Sequence, residues 1–375
     1  MAPVSSRKYV LWTVGVTLAG LAALVGVNSG AGALERLRTS RIAAAAAAAV
    51  LDGRYVAFAE NLEDRVFQIE YVARRPTAPD AIVFGSSRSM QIRPAAVGTD
   101  SFFNHSAWGS NLIDYLGIFE LYERMGSRPK VVVLGVDPWV FNRHNDQTRW
   151  WPLAGHSVSM VSRLRQAGTV GGRPGYEIWL GGQLLELGSN LLSKTQLEFS
   201  WRVLKDRVSG ASEQATYYVL DSDDSDLWVK RPDGSIRYMK KERDKTAAEL
   251  LREAREFAAQ NPIYGFREYM SLDRVAVRHF EGFVRYLGGH GVEVILFLSP
   301  LHPAAYTAAV ARPENRMLVE AEHYLRKFAG EAGLKVVGAY DGTRAGCAPD
   351  RFIDAHHPDQ ACVEIMFRAA GMGAR

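Results

Sequence analysis

A chain of 375 residues is too long for one minimal domain and suits one α/β domain with a large insertion. With 47% hydrophobic and 23% charged residues it has the composition of a packed globular protein, which excludes general disorder. The net charge is only +4 and both signs are interspersed without a long Lys/Arg run, which argues against a nucleic-acid partner.

Arg7 and Lys8 precede an uncharged apolar run, Tyr9 to Val27, about as long as a helix needs to cross a bilayer. Its length exceeds a usual signal-peptide core, so residues 1–33 read as a retained anchor, although Ala31-Gly32-Ala33 also has the form of a cleavage site. Arg36, Arg38 and Arg41 follow the run, so basic residues on both flanks leave its orientation open. Residues 34–75 read as a helical stalk. Leu34 to Leu51 is alanine-rich, and its apolar part from Ile42 is too short for a second span. Leu62, Val66, Ile69 and Val72 then recur at helical spacing, and Arg75-Pro-Thr-Ala-Pro79 breaks the helix.

The remaining residues, 76–375, carry an α/β pattern. Ala81-Ile-Val-Phe-Gly-Ser-Ser-Arg-Ser-Met90 reads as a buried strand that stops at a glycine, with serines where a helix begins. Such a strand end can hold a reactive hydroxyl at the crevice of a parallel sheet, and a serine-rich turn with an N-cap has the same composition. Phe102-Phe-Asn-His-Ser-Ala-Trp-Gly-Ser-Asn111 leads into a helix from about Leu112 to Met125. Lys130-Val-Val-Val-Leu-Gly-Val-Asp-Pro-Trp139 is the continuous apolar run of a central parallel strand.

From about 141 to 262 strand and helix no longer alternate, and the segment reads as an inserted cap. Trp150 and Trp151 sit in a polar, aromatic stretch suited to stacking on sugar rings, or to packing the cap on the core. A helical pattern spans Tyr176 to Leu204, and Pro232-Asp-Gly-Ser235 between two short apolar runs predicts a hairpin. Asp221 to Asp226 lacks the glycine and distal glutamate of a calcium loop and reads as a solvated acidic turn. Helices follow from Lys245 to Gln260 and from Ser271 to Leu287, then a buried strand, Val292 to Leu298, that ends beside His302. The pattern closes with a helix from Glu314 to Ala332, a strand from Leu334 to Val337 and a helix from Cys362 to Ala370.

Before that last helix stands Phe352-Ile-Asp-Ala-His-His-Pro-Asp359. An aspartate three residues ahead of a histidine can orient the imidazole, which can then take a proton from a serine that the fold brings close. A strand-end serine combined with a late Asp-x-x-His is rarer than either part. The combination resembles the SGNH (GDSL-like) hydrolase superfamily, especially its membrane-anchored branch that moves acyl groups onto cell-envelope polymers. The resemblance implies a three-layer αβα fold with a mostly parallel sheet and a catalytic set of Ser87, Asp354 and His357.

In this comparison Gly109 belongs to the second block and, with the N–H of Ser87, would form an oxyanion hole. Asp137 stands where the third block has an asparagine, and an ionised carboxylate there would repel an oxyanion rather than donate to it. Gly85-Ser86-Ser87 replaces the general family's Gly-Asp-Ser, a form similar to that of the envelope branch. Ser86 and Ser89 remain alternative nucleophiles. Arg88, Asn104, Trp150, Trp151 and His302 are expected at the substrate, and no cofactor or metal is expected.

The implied activity is an extracytoplasmic serine acyltransferase or esterase acting on O-acyl groups of an envelope polysaccharide. The implied setting is single-pass in an inner membrane with the main domain in the periplasm, and the implied partner is a membrane-bound O-acyltransferase. Two other readings are a catalytically silent glycan-binding or scaffold domain and a lipase-like esterase of free esters. Outside the cytoplasm the only two cysteines, Cys347 and Cys362, are expected to pair across the Asp354/His357 loop.

Overall fold

The structure, a computed structural model, describes residues 39–59, 62–145, 147–172, 175–189 and 217–373, with isolated positions between 14 and 26 and between 198 and 205. Most of the expected anchor lies outside the described residues. Among those described, no helix is long and apolar enough to cross a membrane.

The chain is an α/β protein built on a parallel five-stranded sheet. Its strands are β2 (Ala81–Phe84), β3 (Phe102–Asn104), β4 (Val131–Gly135), β8 (Glu293–Leu298) and β9 (Lys335–Gly338), in the order β3-β2-β4-β8-β9. Ile82 and Phe84 of β2 pack into one core while Ala81 and Val83 pack into a second, and β8 divides its residues in the same way. A strand buried on both faces needs no polar alternation, which is why these segments read as unbroken apolar runs. Each such Val, Ile, Leu or Phe contributes about 1.5–3 kcal/mol by leaving water.

The connecting helices cover both faces. The larger core takes in α1 (Asp64–Arg74), α2 (Leu112–Met125), α3 (Ala154–Gln166), α5 (Ala247–Ala259), α6 (Arg274–Gly289), α7 (Pro303–Val310) and α8 (Met317–Ala332). The opposite core rests on α9 (Gln360–Ala369). Helix starts follow from local chemistry. Asn111 and Asp114 form a capping box at α2, Thr246 and Glu249 another at α5, and Asp273 and Asp359 accept backbone N–H groups at the starts of α6 and α9.

The expected helical stalk differs from what is observed. Residues 39–51 are helical, but β1 (Tyr55–Phe58) follows and pairs on both edges. It lies between β5 (Tyr217–Leu220) and β6 (Trp228–Lys230) in an antiparallel sheet of order β5-β1-β6-β7, β7 being Ile236–Arg237. Ala43, Ala46, Ala47 and Val50 are buried in the main core, so the alanine-rich helix is part of the domain. Small side chains let that helix approach closely, and its composition alone does not separate a packed helix from a free one.

The segment expected as a cap joins the same core. Phe141, Trp150, Leu153, Met160 and Leu164 are all buried there, as are Trp179 and Leu180 of α4 (Gly175–Ser189). The helix expected to run to Leu204 passes out of the described residues after α4. The hairpin is where the turn signal places it, with Val229 opposite Arg237. Its tip docks on the main sheet: Asn104 N donates to Asp233 O at 2.9 Å, and Ile236 N donates to Met90 O at 3.0 Å. Gly234 lies at φ +79, and a Cβ there would stand 2.5 Å from Asn104 O, so this approach requires glycine.

Candidate active site

Strands β3 and β4 flank β2, so the direction of winding reverses at β2 and a crevice opens at the carboxyl ends of β2 and β4. There β2 ends in Gly85, Ser86 accepts from Arg88 N, and Ser87–Ser89 form one tight helical turn. The turn sorts the three serines. Ser86 is buried as its cap. Ser89 is tucked between strand ends, so that a Cβ on Gly85 or on Gly135 would meet its Oγ at 2.3 or 2.0 Å. Ser87 alone is half-exposed, with its hydroxyl turned toward the crevice.

The partner comes from the loop between β9 and α9. Asp354 Oδ1 accepts the N–H groups of His356 and His357 at 2.8 and 2.9 Å, a tight turn that follows from the Asp-x-His-His spacing. The turn is closed by Ile353 N donating to His357 O at 2.8 Å. His357 Nδ1 lies 2.7 Å from Asp354 Oδ2, and His357 Nε2 lies 2.7 Å from Ser87 Oγ. Burial opposes ionisation of Asp354, but the His356 and His357 rings and the turn N–H groups hold its carboxyl well below the usual range. A disulfide joins Cys347 to Cys362 across this loop, with Cα atoms 5.3 Å apart.

The imidazole of His357 is boxed by rings: His356 at 4.2 Å, Tyr238 at 5.6 Å and Trp108 at 6.4 Å between centroids. Tyr238, delivered by the β6–β7 hairpin, donates its hydroxyl to Ser87 O at 2.9 Å. Trp108 is held by α1, where Asp64 accepts its N–H and Arg65 donates to its carbonyl while pairing with Asp114. Gly109 follows at φ +61, and a Cβ there would stand 1.9 Å from Gln147 Oε1. Among the described residues, no acceptor is found for the N–H of Ser87 or of Gly109.

Several residues expected at the substrate are instead parts of the frame. Arg88 is 1% exposed, and its guanidinium donates to Asp137, to Ser299 O and to His356 O. Asp137 faces that guanidinium, which it accepts at 2.9 Å. It is therefore a charge partner, and nothing in this geometry makes it an oxyanion donor. Burial pushes its carboxyl up from the ordinary value against the pull of Arg88. Asn104 is fully buried, donates to Ser89 O and Ile92 O, and accepts from Ser106 N, so its whole amide is engaged. His302 is buried as the N-cap of α7, accepting from Ala304 N, and its own N–H donates to Ala355 O. Trp150 is 1% exposed in the core and cannot stack on a sugar, whereas Trp151 is partly exposed.

Sequence reasoning missed Tyr238, Trp108 and the α1 charges that hold Trp108. The face of α1 that is buried includes Asp64, Arg65, Gln68 and Tyr71, while Val66 and Ile69 are only half-buried. Two adjacent charges on a helix of low hydrophobic contrast were the available sign. One set of metal-capable side chains comes together among the described residues, Asp354, His356 and His357, and two of its members are already hydrogen-bonded to each other.

A cavity of about 430 Å³ adjoins the site, with Tyr238, Phe352 and Ile353 in its lining beside Arg243 and Lys245. No protein-family model, curated protein or solved structure matches this chain.

Proposed function

We propose that the protein is a serine acyltransferase or esterase of the SGNH type, with the three-layer αβα arrangement of that superfamily. The observation that carries this reading is the hydrogen-bonded series Ser87–His357–Asp354 at a sheet crevice. His357 Nε2 takes the Ser87 proton as Oγ attacks an acyl carbonyl, and Asp354 fixes the tautomer and stabilises the imidazolium. The tetrahedral intermediate places its oxyanion on the N–H groups of Ser87 and Gly109, each such donor being worth roughly 3 kcal/mol. Collapse releases an alcohol that takes the proton back from His357 and leaves an acyl-Ser87 ester. A hydroxyl of the acceptor, or water, then gives its proton to His357 as its oxygen attacks the acyl carbonyl, and His357 returns that proton to the departing Ser87 Oγ as the acyl group leaves.

The acceptor we propose is an envelope polysaccharide, with the domain held outside the cytoplasm by the N-terminal apolar run and supplied by a membrane-bound O-acyltransferase. The disulfide agrees with an oxidising compartment, and the polar cavity beside Tyr238 offers room for sugar hydroxyls.

The test uses a fluorophosphonate probe and peptide mapping, then an aryl acetate with and without a polysaccharide acceptor. Label on Ser87 and acyl transfer to the acceptor are expected. Hydrolysis alone would make the protein an esterase of free esters, and no label on a folded protein would leave the silent glycan-binding reading.

A further inference from the structure

We infer that Arg88 is a positioning residue that sets the placement of His357 against Ser87. The inference rests on the reading of Ser87 and His357 as a reacting pair. Arg88 follows the serine in sequence, and the carbonyl it holds belongs to His356, which precedes the histidine. Its Nε donates to His356 O at 2.9 Å, its Nη1 to Asp137 Oδ1 at 2.9 Å, and its Nη2 to Ser299 O. Ser299 Oγ returns a hydrogen bond to Arg88 O at 3.2 Å. One side chain thus ties the serine turn to the ends of β4 and β8 and to the histidine loop, which is otherwise 268 residues away in the chain.

The chemistry requires arginine. The three acceptors lie in different directions, which a planar fork with five N–H groups reaches and a single ammonium does not. A buried guanidinium also needs a counter-charge. Asp137 supplies it, and the Trp139 ring lies 5.1 Å from the guanidinium carbon. This accounts for an aspartate at a strand end where an acidic group would oppose an oxyanion: its charge is matched to Arg88. A misplacement of about 1 Å in such a pair costs on the order of 100-fold in rate.

The experiment compares Arg88→Lys and the double variant Arg88→Met/Asp137→Leu with the wild-type protein. Arg88→Lys keeps the charge beside Asp137 and loses the His356 carbonyl. The double variant replaces a buried pair by apolar groups of similar volume, a change that is often neutral for stability. For each we would measure the melting temperature, the rate of fluorophosphonate labelling at Ser87, and the low-field imidazole N–H resonance of His357 in ¹⁵N-histidine protein. The expected result is labelling slowed on the order of 100-fold in both variants and a shifted or broadened His357 resonance, with melting retained in at least Arg88→Lys. Wild-type labelling rates and an unchanged resonance in either folded variant would overturn the inference. Should wild-type protein take no label at Ser87, the proposed function fails, while the resonance still decides the role of Arg88.

Discussion

The Tyr238 hydroxyl donates to the carbonyl of Ser87 at 2.9 Å, and its ring lies 5.6 Å from that of His357. A residue that follows the small antiparallel sheet therefore contacts both the Ser87 turn at the end of β2 and the His357 ring in the loop before α9. Burial pushes its phenol well above the ordinary value, so it is a neutral donor across the working range of pH. Tyr238→Phe removes the bond and keeps the ring. We expect a stability loss of about 1 kcal/mol and labelling slowed by about tenfold or less, because Met90 N also donates to the same carbonyl. Unchanged labelling kinetics in Tyr238→Phe would show that the brace does not reach the chemistry.

The two adjacent histidines should separate cleanly. His357→Ala removes the proposed base and should abolish labelling, whereas the His356 ring stacks on His357 at 4.2 Å, Phe257 at 5.3 Å and Tyr264 at 6.0 Å, places Nδ1 3.5 Å from Asp354 Oδ1, and makes no contact with the Ser87 hydroxyl, while its backbone carbonyl serves Arg88. His356→Phe should therefore keep most of the labelling. An essential His356 ring beside a dispensable His357 would reverse the assignment.

His356 also predicts a pH dependence. Burial lowers its imidazole from 6.5 to about 3, so between those values the unfolded chain binds a proton that the native protein does not. Stability then rises with pH across that window and is lost as pH falls below 6.5. Asp354 works in the same direction at lower pH: its folded carboxyl is depressed, so its contribution is present above 3.8 and lost as pH falls through the folded value. Melting temperatures of wild type and His356→Phe between pH 3.5 and 6.5 check this, with the shallower slope expected in the variant. Parallel curves would mean that the His356 ring is solvated.

Why the parallel sheet and the hydrogen-bonded Ser87–His357–Asp354 series could be read from sequence, and the second sheet could not, follows from how local each signal is. Strands buried on both faces announce themselves as apolar runs, and Asp354, His356 and His357 form their turn within one short stretch. By contrast, Tyr55–Phe58 pairs with strands from beyond residue 216, a contact that depends on tertiary closure, so its neighbourhood read as helix. Arg88, Asn104 and His302 were expected at the substrate because polar residues at strand ends often face ligands. His302 is taken up by a local cap bond from Ala304 N and Asn104 by the neighbouring Ser89, Ile92 and Ser106, whereas Arg88 is buried by Asp137, Ser299 and His356, which are distant in sequence. The α1 face shows the same limit, since Arg65 is buried only because Asp114 and the Trp108 carbonyl meet it.

Gly85 and Gly135 are predicted to be intolerant because of Ser89, not because of their own backbone. Gly135→Ala should destabilise by about 1–3 kcal/mol through overpacking, since the new Cβ would stand 2.0 Å from Ser89 Oγ. Adding Ser89→Gly should restore much of that loss and leave labelling at Ser87 intact. Chemical denaturation of the single and double variants tests the coupling, and additive losses would place the clash elsewhere.

The last prediction concerns the disulfide. Cys347 and Cys362 bracket the loop that presents Asp354 and His357, and both are buried in the smaller core, Cys362 on the inner face of α9 with Val363 and Met366. Closing a loop of 15 residues stabilises by about 3 kcal/mol in the chain-entropy model. The loop has other ties, the Ile353 N–His357 O bond, the cap at Asp359 and the Arg88 bond to His356 O, so it should stay folded at moderate temperature without the bridge. The Cys347→Ala/Cys362→Ala variant should therefore label Ser87 more slowly at a temperature where its far-ultraviolet spectrum is still native. Its melting temperature should fall as well, and reduction of the wild-type protein should reproduce both effects. Non-reducing peptide mapping checks the bridge itself. Equal labelling rates for the bridged and unbridged proteins at that temperature would show that the bridge acts on global stability alone and does not set the position of the histidine.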